Sequence, residues 1–190
     1  MKLSRYIFLT LFFFSSAVMA RDSFVFSAEL NKPYSIFRNP SNGFFYVCNI
    51  FGGPHSQDNH SNISAIWFQD FNGYKLKARV TPPISSEYKK TQLSSPTSIV
   101  YLNHHLLVAD IDSIAVFKQE DKKRPVQIGH LKIKGAKKLE TIVAVDNTLY
   151  LSDSGSNAIL KITNFFNKKE REITKLTKIR SPKGMIYDED

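Results

Sequence analysis

Apolar residues along this chain gather in short runs, many alternating with polar ones, and each run ends at Gly, Pro, Asn or Asp. The runs are rich in β-branched and aromatic residues and show no sustained helical period, so they predict strands. SFVFSAEL over 23–30 is the first, broken by Asn31-Lys32-Pro33. Strands are expected over 34–37, 44–49, 63–68 and 74–80, with a turn at 39–43 and a hairpin at Asn72-Gly73. Residues 51–62 (FGGPHSQDNHSN) read as a long polar loop, and 81–95 as a Pro/Ser/Lys-rich connector. Further on, LETIVAVDNTLYLSDSGSNAILKI reads as strands over 141–145, 149–152 and 158–162. An Asp146-Asn147 turn separates the first two, and a polar loop over 153–157 precedes the third.

The pattern recurs in phase. Ile99, Ile142 and Met185 are 43 residues apart, as are Asp110 and Asp153, so VYLNHHLLVAD aligns without a gap on VAVDNTLYLSD. An earlier copy, around 33–36 and 46–49, carries two extra residues in its first turn and a long insertion after Asn49. Repeats of about 40–50 residues holding four short strands each are the mark of a β-propeller, whose small sheets bury their apolar faces only by stacking on one another. A sandwich also has short strands, but not this in-phase recurrence. The expected fold is therefore all-β: a β-propeller with four-stranded blades, incomplete, with units at 33–92, 96–135, 139–178 and a fourth begun at 182–190. Six such blades need roughly 250–260 residues. The pattern thus predicts a truncated gene product, or a ring completed by a partner or a second copy.

Composition adds an address. Lys2 and Arg5, an apolar run over 6–14 and Val18-Met19-Ala20 form a secretory signal peptide at 1–20, leaving 21–190 as the propeller segment. The apolar run is short for a span, so no stable membrane span is expected after cleavage, and the protein is expected to be periplasmic or secreted. The lone cysteine, Cys48, has no internal disulfide partner and reads as a small buried hydrophobe. The formal charge of +9 is spread over pairs such as Lys89-Lys90, Lys137-Lys138 and Lys168-Lys169 at expected turns. That is a solvated distribution rather than a basic face with aromatic platforms, so no nucleic-acid partner is expected.

The lines Tyr46-Val47-Cys48-Asn49-Ile50-Phe51-Gly52, Leu107-Val108-Ala109-Asp110-Ile111-Asp112 and Leu149-Tyr150-Leu151-Ser152-Asp153-Ser154-Gly155 resemble NHL-type repeats. More closely, the chain resembles the exported branch of the gluconolactonase/regucalcin-like (SMP-30-like) six-bladed propellers, over Pro33 to Asp190. The insertion with Asp58 and Asn59 followed by Ile63-Ser64 also matches that branch. The resemblance implies the fold, and for lactonase members a divalent metal held by Glu, Asn and Asp just before the innermost strands. Those places here hold Tyr34, Thr97, Glu140 and Lys183, of which Glu140 alone is a competent ligand. Calcium or zinc at Glu140 is thus the depleted version of the family site, and the expected state is no cofactor.

Asn49, Asp110 and Asp153 recur after the second strand of each unit. With Glu140 they are the candidate ligand-binding residues at the channel mouth. The competing reading is turn chemistry, in which Asx side chains accept from backbone N–H groups two residues on. His104-His105 reads as a surface turn, and His55 and His60 as part of a solvated loop. No Ser-His-Asp order, phosphate loop or zinc spacing emerges, so the catalytic residues are unassigned. The expected function is an exported binding module for a small molecule or a protein partner, including self-association through an open blade edge. A non-catalytic remnant of a longer gene is a second reading, and a metal-dependent, gluconolactonase-like hydrolase is the alternative of a different class.

Overall fold

A computed structural model describes residues 30, 32–52, 57–71, 75–80, 93–120 and 125–188. The leader at 1–20, the strand expected over 23–30, the Asn72-Gly73 turn, His55 and the Trp67 side chain lie outside the described residues. The described part is all-β, without a helix, and holds three four-stranded antiparallel sheets. The first contains β1 (Pro33–Arg38), β2 (Phe45–Asn49), β3 (Asn62–Phe71) and β4 (Lys75–Val80). The second contains β5 (Ser98–Leu102), β6 (His105–Asp110), β7 (Ser113–Lys118) and β8 (Val126–Lys132). The third contains β9 (Leu139–Val145), β10 (Thr148–Asp153), β11 (Ala158–Thr163) and β12 (Glu172–Lys178). Within each sheet the strands lie side by side in chain order.

Local chemistry sets the hairpins. Two-residue turns join Leu102 to His105 and Val145 to Thr148. In the first, Asn103 and His104 both have positive φ, +47° and +61°, the conformation that matches the twist of tight hairpins. The turn is therefore Asn103-His104, with His105 already in β6, one residue earlier than the His104-His105 turn read from the sequence. Asp146, at φ +53°, serves in the second turn, where a short polar side chain tolerates the left-handed region.

Alternation decides which faces meet. Tyr46, Cys48, Ile63 and Ala65 of the first sheet form one buried cluster with Ile99, Leu106, Val108, Ala115 and Phe117 of the second. The opposite face of the second sheet, with Leu102, Leu107, Ala109 and Ile114, packs on Ile142, Leu149, Leu151, Leu160 and Ile162 of the third. The second sheet is thus apolar on both sides, and side chains of this size each contribute about 2 kcal/mol on burial. The first strands of the sheets also touch in order, β1 on β5 and β5 on β9.

Polar links cross these interfaces. Tyr46 Oη donates to Gln119 Oε1 at 2.7 Å, and Thr97 Oγ1 to the Leu139 carbonyl at 3.0 Å. Asn103 Nδ2 donates to Asn147 Oδ1 at 3.1 Å, turn to turn. Beyond β12 the chain turns back over the outer face of the third sheet. Thr141 Oγ1 and Ser152 Oγ both donate to the Lys183 carbonyl, at 2.6 and 2.8 Å, and Pro182 is buried. No strand is assigned over 182–188, where the sequence pattern expects the opening strand of a fourth unit.

Candidate functional site

The starts of β1 and β9 and the ends of β2, β6 and β10 carry the chemistry-bearing side chains. At the end of β6, Asp110 is 4% exposed. Its Oδ1 accepts from the N–H groups of Ser95 (2.6 Å) and Ile111 (3.0 Å), and its Oδ2 from that of Ser94 (2.9 Å). Asp153, at the end of β10 and fully buried, does the same with the connector before β9. Its Oδ1 takes Lys138 N at 2.9 Å and its Oδ2 takes Lys137 N at 3.1 Å. Each Asp therefore ties the connector that precedes its own sheet to the end of that sheet's second strand. The local turn bonds to Asp153 come in addition, from Gly155 N and Ser156 N at 3.1 Å each and from Ser156 Oγ at 2.6 Å.

The difference in donor number has an electrostatic consequence. Burial pushes the Asp110 carboxyl above its ordinary value, and three N–H bonds and the nearby His130 oppose that without offsetting it. At Asp153 burial acts in the same direction. There the Ser156 hydroxyl and the N–H groups of Lys138, Lys137 and Ser156 outweigh it, and the carboxyl sits below its ordinary value. The cause is turn length: β6 and β7 join through Ile111-Asp112, whereas β10 and β11 are spanned by residues 154–157, which fold back on the carboxylate.

Asn49 occupies the matching place on β2 with a different role. Its Nδ2 donates to Ser64 Oγ at 2.9 Å and to Asn62 Oδ1 at 3.0 Å, across to β3. Its Oδ1 is buried with no hydrogen-bond partner among the described residues. Asn49, Asp110 and Asp153 thus lie one per sheet, each held within its own sheet's surroundings.

Glu140, on β9, is the group that reaches between sheets. Its Oε2 accepts from Tyr34 Oη of β1 at 3.1 Å, and its Oε1 from Ser154 Oγ at 2.8 Å. Lys138 Nζ lies 3.0 Å from the same Oε1, and the Glu140 side chain is 4% exposed. Burial alone would raise its pKa, but Lys138, Ser154 and Tyr34 together hold the carboxyl below its ordinary value. The Tyr34 hydroxyl is raised in turn, by burial first and then by its bond to Glu140. A cation arriving at Glu140 would have to displace an ammonium and two hydroxyl donors. Among the described residues no three His, Cys, Asp or Glu side chains converge in a way that would hold a metal ion. Of the four family-like metal places, Tyr34 and Glu140 come together, while Thr97 spends its hydroxyl on the Ala109 and Leu139 carbonyls.

A polar space lies beside Asp110. A cavity of about 270 Å³ opens between the 57–60 segment of the first sheet and the β6–β7 turn and β8 of the second. Asn59 fixes its rim: the backbone N–H of Asn59 donates to Ser94 Oγ at 3.2 Å, and that hydroxyl donates to Asn59 Oδ1 at 3.3 Å. Asp112 and Lys132 form an ion pair at 3.2 Å on the opposite side, and His130 also lines the space. The sequence pattern singles out Asp110 but not His130 or Lys132, because only the strand pairing of β7 with β8 brings those two to it, whereas Asp112 lies two residues on in the β6–β7 turn. Lys138 and Ser154 were legible in principle, since each neighbours a residue already marked, Glu140 or Asp153. A second hollow, of about 340 Å³, is apolar and lies on the outer face of the third sheet between Val143, Tyr150 and Ile159 and the Met185–Tyr187 stretch.

No helix among the described residues is long and apolar enough to cross a membrane. Comparison with known proteins adds no relative: no family model and no curated protein matches the sequence.

Proposed function

We propose that this chain is an exported β-propeller-type binding module for a small molecule or a protein partner. The observation that carries this reading is the state of the carboxylates. Glu140 is occupied by Lys138, Ser154 and Tyr34, and Asp153 by five donors, so neither is a free base or an open metal ligand. The propeller reading draws support from the chain-order strands of each sheet and from the successive contacts of β1, β5 and β9. Export and a periplasmic or secreted location follow from the sequence pattern over 1–20. Self-association belongs to the same reading: β12 is exposed along its whole length, and Ile186 and Tyr187 stand out from the third sheet's outer face.

The gluconolactonase-like alternative makes opposite demands on Glu140. Aliphatic lactone hydrolysis, followed by acid release with added Ca²⁺ or Zn²⁺, separates the two. The binding-module reading expects turnover at the buffer rate with either ion. Metal-dependent turnover that disappears in Glu140→Ala would replace it with the hydrolase reading.

A further inference from the structure

We propose that the cavity beside Asp110 is a binding site for a small organic cation bearing a primary ammonium group. The proposal rests on the binding-module reading and names its ligand class. Four titratable side chains line the space: Asp110, Asp112, His130 and Lys132. Lys132 Nζ is engaged with Asp112 Oδ2 at 3.2 Å, so that pair cancels. Asp110 is then the remaining carboxylate, and its three donors are all neutral backbone N–H groups. The matching carboxylate, Asp153, has five donors, two of them from Ser156. The two-residue turn after Asp110 supplies it with one donor, the Ile111 N–H, where the longer turn after Asp153 supplies three.

A buried carboxylate with surplus acceptor capacity is best matched by a charged donor. Gln57 and Asn59 bring amide groups to the rim and Ser113 a hydroxyl, which suits the remaining N–H groups of an ammonium. A divalent metal fits poorly, since no three ligating side chains converge among the described residues. The volume of about 270 Å³ suits a compact molecule. The protein as a whole is strongly basic, at +9, so this negative pocket is a local reversal of the field rather than part of a general acidic surface.

The test is an amide-detected NMR titration of the purified protein with ethanolammonium, against ethylene glycol as a neutral molecule of similar size. Saturable shifts at Asp110, Ile111 and Ser113 with ethanolammonium, and none with glycol, are expected. Asp110→Asn should weaken binding at least tenfold. Gln57→Lys, an exposed change that leaves the core untouched, should also weaken it several-fold by placing a cation at the rim. Equal response to glycol, absence of saturable shifts with ethanolammonium, or unchanged affinity in Gln57→Lys would overturn the proposal. If a neutral or anionic compound shifts the same amides while ethanolammonium does not, the ligand class is wrong and the binding-module reading stands. If no compound of a broad panel shifts any amide, both fall.

Discussion

Asp110 and Asp153 occupy matching places and make the same two backbone clamps, yet burial pushes the Asp110 carboxyl up while the donors around Asp153 hold its carboxyl down. Replacing each by Asn isolates the difference. At Asp153 the amide oxygen can keep Lys138 N, Gly155 N and Ser156 N, but the new NH₂ faces the Lys137 N–H and displaces the Ser156 hydroxyl from its acceptor. One buried donor is stranded and the remaining bonds lose their charge assistance, a loss of about 3 kcal/mol. At Asp110 the amide oxygen keeps Ser95 N and Ile111 N while the Ser94 N–H is stranded. Against that cost stands the removal of a buried, under-compensated charge, so the net loss should stay within about 1 kcal/mol. Urea denaturation at neutral pH, followed by far-UV circular dichroism, measures both. The pH dependence should also have opposite sign. The folded Asp153 carboxyl lies below its unfolded value of about 3.8, so its contribution is present above that value and fades as pH falls through the folded one. The folded Asp110 carboxyl lies above the unfolded value, so stability is lost as pH rises from 3.8 through the folded one. An Asp110→Asn loss equal to or larger than that of Asp153→Asn would refute the reasoning.

Three further outcomes follow from single contacts. Glu140→Gln should cost about 1–2 kcal/mol, by weakening the bonds from Lys138, Ser154 and Tyr34. The penalty should be full above pH 4.5 and shrink as pH falls through the depressed folded value; equilibrium unfolding at several pH values checks both. Gly155→Ala should cost about 1–3 kcal/mol by overpacking, since its new Cβ would lie 2.7 Å from Lys137 Cβ and 3.0 Å from Lys138 Cβ, and thermal melting reads the loss. The Cys48 thiol, fully buried and pushed up to about 12, should resist alkylation in the native state and react on unfolding, as mass spectrometry after iodoacetamide treatment would show.

The sequence pattern and the structure agree most closely where a strand is half-buried and its neighbour in the chain is its neighbour in the sheet. The strands read over 141–145, 149–152 and 158–162 fall within β9, β10 and β11, because alternation and a two-residue turn are local properties. The site was legible only in part. Asp153 has the local bonds to Gly155 and Ser156 that turn chemistry implies, but its bonds to Lys137 and Lys138 span 15–16 residues and exist only once β9 lies beside β10. Tyr34 meets Glu140 across 106 residues, a contact no spacing rule reaches. The cavity beside Asp110 depends on the β2–β3 loop folding onto the connector before β5, where Ser61 N donates to the Leu93 carbonyl at 2.9 Å. Polar loops of that kind carry no periodicity, so nothing in the chain announces where they dock.

The claim at the centre of this account is that the acidic side chains at these strand ends are structural clamps, with Asp110 alone left under-compensated beside a cavity. A pH titration of the side-chain carboxyl ¹³C shifts tests it directly. Asp110 is expected to titrate above the ordinary aspartate value, and Asp153 and Glu140 below theirs. A Glu140 carboxyl titrating above its ordinary value, with Asp110 below, would contradict it.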